Sequence, residues 1–138
     1  MTTVAFDGEY LAADGRMSAG GNLIKDDTIK AFTHDEKLIA AAGNWSDVES
    51  FFKFIRTGEK PQEDAESLVG WVIDASGIVK EYDEKYCAVV IPYPCAMGTG
   101  ADIAWGAMAA GSDAKEAVEI ACKRDLHSGG QIIVLGLS

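Results

Sequence analysis

An αββα layered sandwich is the fold class that this 138-residue sequence predicts: two antiparallel sheets with a reduced set of helices on their outer faces. Three observations lead there. Short β-prone runs come in hairpin-like pairs at the start and again past the middle. One helix-period stretch separates those two groups, and two more helical stretches precede a last apolar run. Each sheet has an apolar face that must be covered, and packing the sheets together under outer helices covers both. A single open α+β sheet is the competing arrangement.

The elements follow in order. "TTVAF" and "EYLAA" flank Asp7-Gly8, the dipeptide a two-residue type I′ turn asks for, because both central residues need positive φ. "GRMSAGGNLIKDD" reads as a glycine-punctuated loop. A second hairpin has strands near 28–33 and 37–42 around the polar turn His34-Asp35-Glu36. Alternation puts Lys30 and Phe32 on one face of that strand, which suits a site beside an apolar pocket better than a solvated surface. From Ser46 the period changes. Val48, Phe51, Phe52 and Ile55 recur at helical spacing, Ser46 with Glu49 has the form of a capping box, and Gly58 stops the run. "EKPQEDAES" is a polar connector. Strands follow at 68–74 and 78–82, joined by Ala75-Ser76-Gly77, and at 86–91, ended by Pro92 and Pro94. "GTGADIAWGAMAAG" is a glycine turn entering a helix of small residues. Ser112 caps a last helix whose apolar face is Ala114, Ala117, Val118, Ala121 and Cys122, and "GGQIIVLGL" reads as a buried final strand. Residues 1–138 are expected to form one domain.

Composition bounds the function. A net charge of −10 argues against nucleic acid as a partner, since phosphate binding needs a basic face. Cys87, Cys95 and Cys122 are odd in number and lack metal-ligand spacing, so neither a disulfide framework nor a zinc site is expected. Cys95 reads as a small buried thiol, and His34 and His127 have no acid partner placed by the sequence. No basic leader with an apolar run and no apolar stretch of membrane-spanning length is present, so the expectation is a cytoplasmic protein without membrane contact.

Set in order, the segments "TTVAF", "LAADGRMSAGGNLIKDDTIKAF" and "LIAAAGNWSD" resemble the start of proteasome β subunits and of the bacterial peptidase HslV. Both are N-terminal nucleophile hydrolases. Asp14 and Lys30 stand sixteen residues apart, as the family's acid and lysine do; Ala42-Gly43 and Asp47 match its next two elements. "AMGTG" resembles its Gly-Ser-Gly turn with Thr99 in the serine's place, and "RDLHSGG" resembles its Arg-Asp-x-x-Ser-Gly-Gly, which marks Asp125 and Ser128. The match runs through almost the whole chain. It departs in a shorter first hairpin and in "TGEKPQEDAES", which leaves too little chain for the family's second long helix.

The resemblance implies a threonine-type peptidase with an N-terminal nucleophile hydrolase fold, Thr2 being the nucleophile once Met1 is removed. The chemistry needs these residue types. A threonine at a chain start carries its own base, an α-amine with an unperturbed pKa near ~7.7, so roughly a sixth is neutral at pH 7. An ammonium ~4 Å away repels the protonated amine by up to ~4 kcal/mol at an effective dielectric near 20, the push expected of Lys30. Asp14 would fix the charge and position of Lys30. The Gly43 N–H would form an oxyanion hole, while Thr99, Asp125 and Ser128 would hold the amine and its water. Met17, Ala41 and Trp45 would wall an apolar specificity pocket beside Thr28, and Ser18 would bond an extended peptide. No cofactor is required; a structural Na+ or Mg2+ on the carbonyls of Cys122, Asp125 and Ser128 is a further expectation. So are a homo-oligomeric ring, peptide or unfolded-protein substrates, and an ATP-dependent unfoldase partner. A small-molecule amidase on the same framework and a non-catalytic structural subunit are the alternatives.

Overall fold

The computed structural model describes residues 2–137, so the expected removal of Met1 falls on a residue outside the described ones. The described residues form a mixed α/β structure with antiparallel sheets and three helices. In chain order these are β1 (Val4–Phe6), β2 (Tyr10–Ala13), β3 (Met17–Ala19), β4 (Asn22–Lys25), β5 (Ala31–His34), β6 (Lys37–Gly43) and α1 (Trp45–Thr57). There follow β7 (Leu68–Ile73), β8 (Val79–Tyr82), β9 (Ala88–Ile91), β10 (Cys95–Met97), α2 (Ala101–Ala109), α3 (Ala114–Arg124) and β11 (Ile133–Gly136). One sheet has the order β10-β1-β2-β11, a second runs β5-β6-β7-β8-β9, and β3-β4 is a separate ribbon. None of the described helices is long and apolar enough to cross a membrane.

Strand alternation distributes the apolar side chains into three clusters. Val4, Phe6, Leu11 and Ala13 of the first sheet meet Leu38, Ala40, Trp71, Ile73 and Val79 of the second. The opposite face of β1 and β2 offers Ala5 and Ala12, small enough for close approach by Ala104 of α2 and Ala114, Ala117, Val118 and Ala121 of α3. The far face of the second sheet takes Val48, Phe51 and Phe52 of α1 on Ile39, Ala41 and Leu68. Helical spacing in α1 and period two in the strands produce these faces directly.

Several local expectations change for physical reasons. The first turn is centred on Gly8-Glu9, because Asp7 closes it (its N–H to the Tyr10 carbonyl) while its carboxylate accepts the Glu9 and Tyr10 N–H groups. Only Gly8, at φ 104°, needs a positive φ there, which is a type II′ pattern and not type I′. The segment expected to be a loop holds the β3–β4 hairpin, turned by Gly20-Gly21 at φ 58° and 79°. Helix α1 has its N-cap at Asn44, two residues ahead of Ser46, without the Ser46 capping box, and ends at left-handed Gly58. Asp113, not Ser112, caps α3 by accepting the Glu116 N–H. Strand β10 was not expected, and β11 alternates between half-buried and exposed because it lies at a sheet edge. Strand β5 is bounded at Ala31, but the Ala41 N–H donates to the Lys30 carbonyl at 3.3 Å, so the pairing with β6 continues one residue ahead of it, with Ile29 exposed and Lys30 buried.

This topology gathers element ends. Thr2 and Thr3 lead into β1, Asp14 leaves β2, Lys30 enters β5, Gly43 closes β6, and Gly98-Thr99 follow β10. The Asp14 N–H donates to the Thr3 carbonyl at 3.1 Å, extending the β1–β2 ladder past its last strand residues.

Helix α1 rests on a specific absence of side chain. A Cβ on Gly70 in β7 would lie 2.4 Å from the Phe51 ring, which is fully buried. Gly70→Ala is therefore expected to lower stability by about 1–3 kcal/mol through overpacking, read as a lower urea midpoint at unchanged slope. An unchanged midpoint would show that this contact does not set the seat of α1.

Candidate active site

Asp14 is the most connected side chain of the site. It has no exposed surface. Its Oδ1 accepts from Lys30 Nζ at 2.8 Å and from the Thr3 N–H at 3.0 Å. Its Oδ2 accepts from the Gly129 N–H at 2.9 Å and the Arg16 N–H at 3.3 Å. Four donors saturate a carboxylate. Lys30 is itself only 4% exposed, and burial pushes its ammonium pKa below the ordinary lysine value against the opposing charge and hydrogen bond of Asp14.

A second carboxylate organises the loop after α3. Asp125 Oδ2 accepts from Ser128 Oγ at 2.5 Å and Thr99 Oγ1 at 2.6 Å, and Oδ1 accepts from the His127 N–H at 3.3 Å. Burial raises the Asp125 pKa, but these hydrogen bonds outweigh it and hold the carboxyl below its usual value. The proton assignments then follow. With the Ser128 proton committed to Asp125, Thr3 Oγ1 donates in its 2.6 Å contact with Ser128 Oγ. Thr99 Oγ1, likewise committed, accepts from the Thr2 nitrogen at 3.4 Å. The chain Thr2–Thr99–Asp125–Ser128–Thr3 thus closes on the same N-terminal segment that Asp14 holds.

Two hollows adjoin this network and share Gly43. One, of about 320 Å³, is lined by Thr2, Gly43, Gly98 and Thr99 together with Ser67–Val69 and Glu84. The other, of about 310 Å³, is lined by Met17, Ser18, Thr28, Lys30, Gly43 and Trp45, with Arg16, Ala19 and Asn44 beside them. Each lies at the small end of ligand pockets, the size for a side chain or two. Glycine is required where they meet: Gly43 has φ 140°, and a Cβ there would lie 2.1 Å from the Ser67 carbonyl oxygen. Gly98, at φ 97°, lets its backbone approach the Thr2 carbonyl, which a Cβ would meet at 1.9 Å.

Of the residues singled out in the sequence, Asp14 and Lys30 pair directly, and Thr99, Asp125 and Ser128 form one hydrogen-bonded group. Met17, Ser18, Thr28 and Trp45 line one hollow. Ala41 does not; it is buried in the cluster against α1. Among the described residues, no group of three His, Cys, Asp or Glu side chains is arranged to hold a metal ion. The Asp125 carbonyl accepts the Ser128 N–H at 3.2 Å, which uses one of its lone pairs. Burial pushes the Cys95 thiol up to about 12 and the Cys122 thiol up to about 11, so neither is a thiolate at neutral pH. Thr3, Gly129 and Glu84 were missed. A second threonine beside the first was the only local signal for Thr3, and Glu84 had none.

Asp14→Ala would strand a buried ammonium, at a cost of about 3–5 kcal/mol, whereas Asp26→Ala, which breaks the half-buried, solvent-accessible Arg16–Asp26 pair, should cost no more than about 1 kcal/mol. Urea unfolding of the two variants measures this contrast. Equal losses would mean that Asp14 is not the anchor of the segment.

No protein-family model and no curated protein matches the chain. Solved structures do. Thiobacillus denitrificans BPH superposes with a TM-score of 0.75 at 17% identity, over 100% of this chain and 99% of that one. The same protein in complex with epoxomicin gives 0.75 at 17% identity, over 100% of both chains. Eukaryotic HslV from Trypanosoma brucei gives 0.71 at 17% identity, over 97% of each. At such identity the likeness is one of fold.

Proposed function

We propose that this chain is a threonine-type peptidase of the proteasome and HslV kind, with Thr2 as nucleophile once everything before it, Met1 included, is removed. The observation that carries this reading is the double hold of Asp14, which binds Lys30 at 2.8 Å and the Thr3 N–H at 3.0 Å. One buried carboxylate thereby ties the lysine to the residue next to Thr2. The likeness of fold to HslV and to a protein that binds epoxomicin supports the same reading.

In this mechanism Thr2 Oγ1 attacks the substrate carbonyl carbon and its proton passes to the free α-amine. The Gly43 N–H receives the developing oxyanion. The C–N bond breaks as the leaving nitrogen takes the proton from the ammonium, and an ester remains on Thr2 Oγ1. Water attacks that ester and gives a proton to the amine; the C–O bond breaks and Thr2 Oγ1 recovers the proton. The Lys30 cation favours the neutral amine, and Thr99 with Asp125 and Ser128 orients it. The hollow of Met17, Ser18, Thr28 and Trp45 takes the side chain before the scissile bond, with an apolar preference.

The three apolar clusters support reading residues 1–138 as one αββα domain, with α2 and α3 on one outer face and α1 on the other. Exposed Leu23, Ile24 and Trp105 support a homo-oligomeric ring, and peptide or unfolded-protein substrates with an ATP-dependent unfoldase belong to the same reading. Light scattering is expected to exceed the 14.7 kDa of one chain; a monomer at all concentrations would remove the ring. A structural Na+ or Mg2+ at the carbonyls of Cys122, Asp125 and Ser128, and a cytoplasmic location, complete the proposal.

Lys30→Ala in the Thr2-initiated protein should cut peptide turnover at least ~10²-fold, the low end for lost acid–base assistance. Circular dichroism establishes that the variant is folded. In the parent protein, the alkaline limb of the kcat/KM profile should fall below the ordinary lysine range, because Lys30 loses its proton early. Full activity in folded Lys30→Ala would exclude the lysine from the mechanism.

A further inference from the structure

The two hollows that meet at Gly43 differ in charge. The hollow of Met17 and Trp45 has Arg16 and Lys30 in its wall, and both are paired, with Asp26 and Asp14. The hollow at Thr2 has one ionisable side chain in its lining, Glu84. No salt bridge among the described residues involves Glu84.

Glu84 sits on a fixed turn. Asp83 Oδ1 accepts the Lys85 N–H at 2.9 Å and the Cys87 N–H at 3.1 Å, and the Tyr86 N–H donates to the Asp83 carbonyl at 3.0 Å. The Glu84 carbonyl accepts the Ala65 N–H at 2.8 Å, which fastens the turn to the connector that leads into Ser67. Lys85 follows Glu84 on the same turn, and Glu63 and Asp64 of the connector line a separate hollow, so Glu84 is the charge that the lining of the Thr2 hollow itself presents. A carboxylate in the wall of a concave surface attracts a cation.

We propose that the hollow at Thr2 and Glu84 receives the leaving-group side of the substrate and selects a cationic side chain, lysine or arginine, on the residue after the scissile bond. This rests on the peptidase reading above. If the side chain before the bond enters the hollow of Met17 and Trp45, the departing part lies in the other hollow that Thr2 lines. Glu84 then faces the new amine's own side chain. It is a specificity residue, not a catalytic one.

Three peptides that differ only in the residue after the cleaved bond, Lys, Ala or Glu, test this with the Thr2-initiated protein. The expected order of kcat/KM is Lys over Ala over Glu, with about threefold to tenfold between the extremes at low salt, the scale of an exposed ion pair gained against one repelled. The ratio should shrink below about twofold at 1 M salt, where the screening length is about 3 Å. Glu84→Gln should also bring it near one, and the turn survives because it uses only the Glu84 backbone. Equal rates for all three peptides, or a lysine preference that persists in Glu84→Gln, would overturn the inference while leaving the peptidase reading intact. Cleavage of none of the three would overturn both.

Discussion

The buried Asp14 carboxylate is the constraint on which the site depends. Placing an anion where no solvent reaches it is unfavourable unless its lone pairs are filled and its charge is matched. Here the N–H groups of Thr3, Arg16 and Gly129 and the Lys30 ammonium do both. Those four donors come from the start of β1, the exit of β2, the loop after α3 and the entry to β5. One side chain therefore holds four separate pieces of chain in register. Asp125 adds a second hold at one remove, through the Thr99 hydroxyl to Thr2 and the Ser128 hydroxyl to Thr3.

The fold prepares this convergence by simple means. Antiparallel hairpins return the chain to the same end of each sheet, so strand termini distant in sequence collect together. Alanines on the helix-facing side of β1 and β2 bring α2 and α3 close, and this draws the loop from Asp125 to Ser128 onto Thr3. Glycines at positions 43 and 98 leave the space in which a substrate backbone could lie against Thr2. Short connection between α1 and β7 leaves the edge of the Thr2 hollow to Ser67, Leu68 and the Glu84 turn.

Much of this was legible in the sequence because it is local. The β5–β6 hairpin, α1 with its glycine stop, and the β7–β8 pair follow from periodicity and turn residues. The Asp14–Lys30 spacing and the "RDLHSGG" segment were legible through resemblance, since an acid in a turn carries no signal alone and the shared face of Lys30 and Phe32 adds only a local one. What stayed hidden is tertiary. The β3–β4 hairpin stayed hidden although Gly20-Gly21 suits a type I′ turn, because its strands are short, β3 being half-buried and β4 exposed. Strand β10 lies directly behind Pro92 and Pro94, which read as an end. The capping of α3 by Asp113 depends on which of two adjacent polar residues turns its side chain to the helix. Glu84 is set at the Thr2 hollow by the Asp83 turn and by the bond from Ala65, contacts that its own sequence neighbourhood does not announce.

The central claim concerns the nitrogen of Thr2. As an amide it cannot accept a proton, and as a free amine it can, so the proposed mechanism requires a form that begins at Thr2. The most direct measurement compares protein beginning at Met1 with protein beginning at Thr2, both verified by N-terminal sequencing. Each is incubated with epoxomicin, the compound held by one of the structural neighbours, and examined by intact mass and peptide mapping. The expected result is a covalent adduct at Thr2 in the Thr2-initiated form alone. Equal adducts in both forms, or an adduct on a residue other than Thr2, would contradict N-terminal threonine chemistry in this protein.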